Sequence, residues 1–503
     1  MLLLLLFGFS FANARLPSMV FGRPRDGFLP VPLSNSDIYS DSSFMIDGSI
    51  EQAKDHFGSV NGAWQQRYLY NKKFFNSSRP LAFLWIGGEN WISNYWVQNE
   101  NVSMMVWAQE FGAAAFEIEH RFYGPKNNTP FCDQTTASLN LMTIDQALAD
   151  IDTFVDKMNK LYFGSYSNVG WITFGGSYAG TLSAYFRETY PQRTIGAVST
   201  SSAVHFQTDY FGYTINTEST YRVTSNDCAN NIGLGFQEMI NLAYDGVQGR
   251  KILQQKFNLC DTFDDGSTPI TKAVQFFLSN IYGVFQGIAQ YTYDNMAAGI
   301  ALNVTGLCQI MNNDSIPDPL DRIRAVWDWN NAYYGQEGCN SNNYTDFIRQ
   351  LSDTSYTDRD TVINRSWMWQ CCTQMGYMQT TDGNNGIFGS FLPLDFFADQ
   401  CTAMFGPQYT LETIYRQVEV YRSKYYDNYT GTKVVFPNGS LDPWKSLGMF
   451  LNDPSRDVDS FIINGTAHCA DRYPARPDDP QSLVDARQRI RNHLSEWITA
   501  TFK

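Results

Sequence analysis

The run Val169-Gly170-Trp171-Ile172-Thr173-Phe174, followed by Gly175-Gly176-Ser177-Tyr178-Ala179-Gly180, constrains this chain more than any other stretch. The first six residues read as a buried strand, and Ala179 to Tyr190, stopping at Pro191, reads as a helix. Small residues join the two, so the backbone must turn sharply, with the Ser177 hydroxyl exposed at the crest. A helix N-terminus there offers unpaired N–H groups and a positive dipole to a developing oxyanion. Ala179 stands where strict G-x-S-x-G has its last glycine, and alanine is small enough to keep the turn. Taken alone, the pattern also describes a serine that only caps a helix.

The surrounding chain alternates strand and helix. Leu81 to Ile86 reads as a strand closed by Gly87-Gly88, Met104 to Phe111 as a helix, and Ala113 to Ile118 as the next strand. Ile144, Ala147, Leu148, Ile151, Phe154, Val155 and Met158 repeat at helical spacing, with Thr143 and Gln146 placed as a capping box. Ile195 to Val198 reads as a further strand. This alternation implies an α/β class with a mainly parallel sheet covered on both faces. Residues 203–415 differ: they are rich in aromatics, Asn and Gln, and carry helical periodicity at Ile270 to Ala289 and Pro319 to Tyr333. Strand-like runs return at Lys433 to Phe436 and Ser460 to Ile463, before a last helix over Pro480 to Thr499. The expected organisation is a leader over 1–14, an α/β domain over 15–202 and 416–503, and a helical cap inserted at 203–415.

A serine hydroxyl needs a base. Of five histidines, His468 lies in a loop just after the late strand, whereas His493 falls inside the last helix and reads as structural. His120, in Glu119-His120-Arg121-Phe122-Tyr123-Gly124, is the rival, but it precedes the serine. Asp442 follows the strand at Lys433 to Phe436 and completes the order Ser177, Asp442, His468, the order of α/β-hydrolases. Such an aspartate orients the histidine and stabilises its imidazolium. The amides of Gly88, in the loop after the early strand, and of Tyr178 are the oxyanion donors to expect. No zincin, EF-hand, P-loop or dinucleotide motif is present, so neither metal nor cofactor is expected.

The N-terminus, Met1 to Ala12 ending in Ala12-Asn13-Ala14, reads as a secretory signal peptide cleaved near Ala14; its apolar run is too short to cross a bilayer. Sequons at Asn76, Asn101, Asn127, Asn303, Asn313, Asn343, Asn364, Asn428, Asn438 and Asn464 agree with a secreted glycoprotein. So do nine cysteines without a C-x-x-C pair, most of which should form disulfides while an odd one stays free. The formal net charge of −14 disfavours a polyanionic partner such as nucleic acid. No later apolar run reaches the length of a transmembrane helix.

The stretches Gly87-Gly88-Glu89, Glu119 to Gly124, Gly175 to Gly180, Trp369-Gln370-Cys371-Cys372-Thr373, Asn438 to Trp444 and Gly465 to Ala470 resemble one family of serine peptidases. That family comprises lysosomal Pro-X carboxypeptidase, dipeptidyl peptidase 2 and thymus-specific serine protease. The tail Tyr473 to Pro480 looks closest to the thymus-specific branch. The resemblance implies an α/β-hydrolase fold with a large inserted helical cap. It also implies a secreted or lysosomal serine exopeptidase, acting on short peptides next to proline as a carboxypeptidase or dipeptidyl peptidase. It carries the nucleophile to Ser177, the acid to Asp442 and the base to His468. The sequence departs from the family at Gln374, where glutamate is usual, and at Asn90, where glycine is common; both bear on recognition of the substrate terminus. Glu89 is a candidate for contacting substrate, and the indoles of Trp327, Trp329, Trp367 and Trp369 for walling an apolar proline pocket, although any one of them fits ordinary core packing as well. A homodimer is left open. The alternatives are a carboxylester hydrolase or lipase with the same triad, and a catalytically silent secreted binding glycoprotein.

Overall fold

The computed structural model describes residues 16–25, 27, 42–58, 60–166, 168–292, 302–383 and 386–503. The expected signal peptide lies outside the described residues.

One eight-stranded sheet organises the molecule. Its strands are β1 (Met45–Ala53), β2 (Ala63–Asn71), β3 (Leu81–Ile86), β4 (Ala113–Ile118), β5 (Gly170–Gly176), β6 (Gly196–Thr200), β7 (Val434–Gly439) and β8 (Val458–Ile463). They lie in the order β1-β2-β4-β3-β5-β6-β7-β8. Only β2 runs against the others, pairing antiparallel with β1 and β4. The remaining pairings are parallel. This strand order is that of the α/β-hydrolase fold.

Strands β3, β4 and β5 are buried at every position, as near-continuous apolar runs demand of central parallel strands. Helices α1 (Ser103–Phe111), α2 (Ile144–Tyr162) and α3 (Tyr178–Thr189) form the crossovers. Met104 and Met105 of α1 share one core with Leu81, Phe83, Ile172 and the Ile490, Leu494 and Trp497 face of the last helix. Leu84, Ile86 and Phe116 point to the opposite core, where Leu148, Ile151 and Phe154 of α2 and Leu182 of α3 pack. Alternate strand residues thus feed two faces, the consequence of a side-chain period of two. The Thr143 hydroxyl accepts the Gln146 amide and caps α2, as the capping box requires.

Between β6 and β7 the chain is mostly helical. It includes α4 (Ile270–Gln290), α5 (Arg359–Gln370) and α6 (Leu411–Tyr425), together with two three-residue strands, Gln207–Asp209 and Gly376–Met378, which pair in parallel. Because α6 runs continuously from 411 to 425, the expected boundary at 415/416 falls inside a helix and not between elements. Three disulfides staple this segment: Cys228–Cys308, Cys260–Cys339 and Cys372–Cys401. Cys132, Cys371 and Cys469 are free, so three thiols remain where parity alone required one.

Asn76, Asn101, Asn127, Asn313, Asn428 and Asn464 are exposed, and Asn303 and Asn343 half-buried. Two sequons are corrected. Asn364 is fully buried, with its amide donating to the carbonyls of Arg25 and Asp360, and Asn438 is also buried, so neither has room for a glycan.

The last helix, α7 (Gln481–Thr501), carries His493 between two carboxylates. Nε2 lies 2.9 Å from Asp459 Oδ2 and Nδ1 3.2 Å from Asp457 Oδ1. Burial pulls the imidazole down, but the two carboxylates outweigh it and hold its pKa at about 9. A raised pKa contributes stability that is present below the ordinary value of 6.5 and is lost as pH rises through about 9. The pH-dependent part should be about 1–2 kcal/mol after allowing for solvent screening at this half-buried site. Urea unfolding of His493→Gln should therefore show its deficit at pH 5.5 and lose that part by pH 9.5; a deficit that stays constant across this range excludes the ion pair as its cause.

Candidate active site

Ser177 stands where β5 ends and α3 begins, at φ 58° and ψ −133°, a conformation a side-chain-bearing residue adopts only under constraint. The glycines before it permit the turn. A Cβ on Gly175 would lie 2.1 Å from the Ala179 carbonyl, and one on Gly176 1.7 Å from Arg472 Nη1. The Ser177 amide is held by the Thr200 carbonyl at 3.0 Å. Gly180, one residue beyond the motif position taken by Ala179, makes the close approach to β6: its Cβ would meet the Thr200 carbonyl at 2.9 Å.

Asp442 and His468 are brought into contact with each other. Both are buried. His468 Nδ1–H donates to Asp442 Oδ2 at 2.9 Å, while Asp442 Oδ1 accepts the Trp444 amide at 2.9 Å, so the carboxylate is anchored at both oxygens. His468 Nε2 has no hydrogen-bond partner among the described residues. Burial disfavours the imidazolium, but the Asp442 charge prevails and pushes His468 above the ordinary histidine range. The loop is tied to the same strand end as the serine: Ser201 Oγ accepts the Cys469 amide at 2.9 Å, and the His468 amide donates to the Gln290 carbonyl at 3.0 Å. Adjacent residues of one strand end, Thr200 and Ser201, thus fasten both the serine turn and the histidine loop.

A narrow cavity opens at Ser177, walled by Tyr178, Trp367, Tyr377 and Trp444, with Glu89 and Tyr291 at its sides. The Tyr291 ring also stands edge-on to the His468 ring, with centroids 5.9 Å apart. Gly88 runs along the start of α3: a Cβ there would be 3.3 Å from Ala179 Cβ and 3.6 Å from Ala179 N. The loop bearing Gly88 is held from behind by Glu119, which accepts the Ile92 amide at 2.8 Å and whose carboxyl burial pushes up to about 7.

His120 faces the same region but is fully engaged. Its Nδ1–H donates to the Arg121 carbonyl at 2.7 Å, leaving Nε2 to accept the Tyr178 hydroxyl at 3.0 Å. Burial lowers its pKa to about 4, so it stays neutral with no ring nitrogen left for Ser177. The Tyr178 hydroxyl in turn accepts Gln370 Nε2 at 2.7 Å, and Gln370 Oε1 accepts the Tyr123 hydroxyl at 2.6 Å.

Other sequence candidates lie elsewhere. Trp369 packs on Phe405 and Tyr409, and Trp327 is half-buried against the core; neither lines the Ser177 cavity. Trp329 also packs against the core, and of the four indoles offered as pocket walls Trp367, two residues before Trp369 on α5, is the one that lines the cavity. Gln374 is spent on the fold, accepting the Ile144 amide and donating to the Met142 carbonyl at the start of α2. An ionised glutamate would make only the first of these bonds. Asn90 accepts Arg359 Nη2 at 2.7 Å. Sequence reasoning missed Trp444, whose position two residues after Asp442 was the available signal. It also missed Tyr291, Tyr377 and Arg23, which no local pattern marks.

No described helix is long and apolar enough to cross a membrane. The family model for serine carboxypeptidase S28 matches residues 52–490. A Caenorhabditis elegans protein whose name assigns it to the serine proteases is 37% identical over 457 residues, covering 89% of this chain and 83% of the relative. Thymus-specific serine protease of Mus musculus is 29% identical, covering 90% of this chain and 87% of the relative. Lysosomal Pro-X carboxypeptidase of Bos taurus is 26% identical over the same shares of the two chains. With a match spanning nearly the whole sheet and cap, the chain belongs to the serine carboxypeptidase S28 family and is a serine-type peptidase.

Proposed function

We propose that this peptidase removes residues from the ends of short peptides, next to proline, with Ser177 as nucleophile, His468 as base and Asp442 as the acid that orients it. The observation that carries this reading is the Asp442–His468 hydrogen bond, 2.9 Å long and buried, in a loop tied to the strand end that holds Ser177. His468 Nε2 takes the Ser177 Oγ proton as Oγ bonds to the scissile carbonyl carbon. The Gly88 and Tyr178 amides hold the oxyanion. Nε2–H then passes the proton to the departing amine as the C–N bond breaks, and water returns through the same base to release the acyl group. The indoles of Trp367 and Trp444 and the ring of Tyr377, the last two edge to face, offer an aromatic wall suited to a pyrrolidine ring. The Glu89 carboxylate at the cavity side is suited to a charged peptide amine.

In this reading the eight-stranded sheet with its crossover helices forms the catalytic unit, and the mostly helical chain between β6 and β7 the cap that narrows access. The disulfides, the exposed sequons and the relatives' names support the secretory pathway, secreted or lysosomal, as the place of action.

Mass-spectrometric analysis of products from a peptide library, with proline moved through each position between pH 4 and 8, tests the reading. Release of one or two residues from a single terminus, dependent on proline, is expected. Internal cleavage overturns the exopeptidase assignment. Hydrolysis of acyl esters without peptide cleavage favours a carboxylester hydrolase, and no turnover of either favours a binding glycoprotein.

A further inference from the structure

A short hairpin at the beginning of the described chain separates two cavities. Its strands, Met19–Val20 and Arg23–Pro24, are joined by Phe21 at φ 49° and Gly22 at φ 67°, the two positive φ values of a type I′ turn. The second strand, Arg23 and Pro24, with Gly22 before it, lines the Ser177 cavity. The first strand and the turn, with Met19, Val20 and Phe21, line a second cavity beneath the cap helices, next to Phe276 of α4 and Phe397. Gly22 is wedged between them. A Cβ there would lie 1.9 Å from Gln379 Nε2, a wall of the second cavity, and 2.7 Å from Trp444 Cζ2, a wall of the first.

Two strands of this length have no stability of their own, so anchors from the body hold the hairpin. The buried Arg23 guanidinium donates to the Glu89 carbonyl at 3.0 and 2.6 Å, and to Asn364 Oδ1 at 3.1 Å. Trp367 Nε1 donates to the Phe21 carbonyl at 3.2 Å, and the Phe21 ring meets Phe397 edge-on at 5.1 Å. Met19 packs on α4 beside Gly283 and Gly287, at ordinary van der Waals distance of 3.4 and 3.6 Å from where a Cβ would stand.

Resting on the reading of Ser177 as nucleophile, we propose that this hairpin is a specificity-determining partition: it stops a peptide bound at Ser177 from running on into the second cavity, and so limits how many residues fit on one side of the scissile bond. Phe21 is the element of the partition facing the second cavity, and Arg23 is the positioning residue that clamps it to the Glu89 loop. Shrinking or unclamping the partition joins the cavities and admits longer peptides.

Full-length Phe21→Ala and Arg23→Ala are compared with the parent on peptides extended one residue at a time on either side of the cleaved bond. Labelling by a small fluorophosphonate reads the state of Ser177. The ratio of kcat/KM for long over short peptides should rise at least about tenfold in one direction of extension. General destabilisation lowers both rates together and leaves that ratio unmoved. An unchanged ratio in both variants that still label, or variants that no longer label at all, overturns the partition. A parent enzyme that labels elsewhere than Ser177 overturns the nucleophile assignment first, and the partition with it.

Discussion

Ser177→Ala should lower kcat/KM roughly 10⁴- to 10⁶-fold and leave the melting temperature almost unchanged. The hydroxyl is the only atom lost, so no covalent acyl intermediate forms. What remains is the catalysis that oxyanion donors and binding provide without a nucleophile. Alanine keeps the Cβ, so the backbone cost at φ 58° stays as it is. Ser177→Gly separates the two roles of this residue. It is equally inactive, yet it should be more stable than the alanine variant by about 1 kcal/mol, because glycine alone occupies this region without steric cost. Peptide turnover and calorimetry on the three proteins check both statements. Near-parental activity in either variant removes Ser177 from the mechanism.

Asp442→Asn should lower kcat/KM roughly 10³- to 10⁴-fold and move the acid limb of the pH–rate profile downward. Burial lowers the His468 pKa, and the Asp442 charge more than reverses this. A base acts only when neutral, so in the parent activity falls as pH drops through a pKa above 6.5. The asparagine side chain has no charge to hold the imidazolium, so the limb shifts to lower pH. Its amide can also present N–H to Nδ1, which selects the tautomer with its proton on Nε2 and removes the lone pair that Ser177 needs. Rate profiles of the two proteins between pH 4 and 9 test this. An acid limb at the same pH in both, or one displaced upward, dissociates Asp442 from the titration of His468.

Both predictions rest on residues that local sequence pattern identified before any fold was known. The elements around them were equally readable: the strands at Leu81–Ile86 and Ala113–Ile118 end where the apolar runs end. The cap was harder. Its helices were recognisable singly, but the boundary at 415/416 cut α6, which runs unbroken from Leu411 to Tyr425. Trp369 and Trp367 show the same limit at the scale of two residues on one helix. Both are apolar and buried, and only the rotation of α5 against its neighbours turns Trp367 toward Ser177 and Trp369 toward Phe405.

The alternation of strand and helix and the tight turn at Ser177 are legible in the sequence, since each depends on neighbours along the backbone, and the order of Ser177, Asp442 and His468 is read directly along the chain. Tertiary structure alone decided that the rival His120 has both ring nitrogens engaged, that Asn364 is closed to a glycan, and that Arg23 reaches the Glu89 loop. Those outcomes depend on groups hundreds of residues apart in some cases, brought together by burial and by the need of every buried polar atom for a partner. No local pattern encodes which distant partner that is.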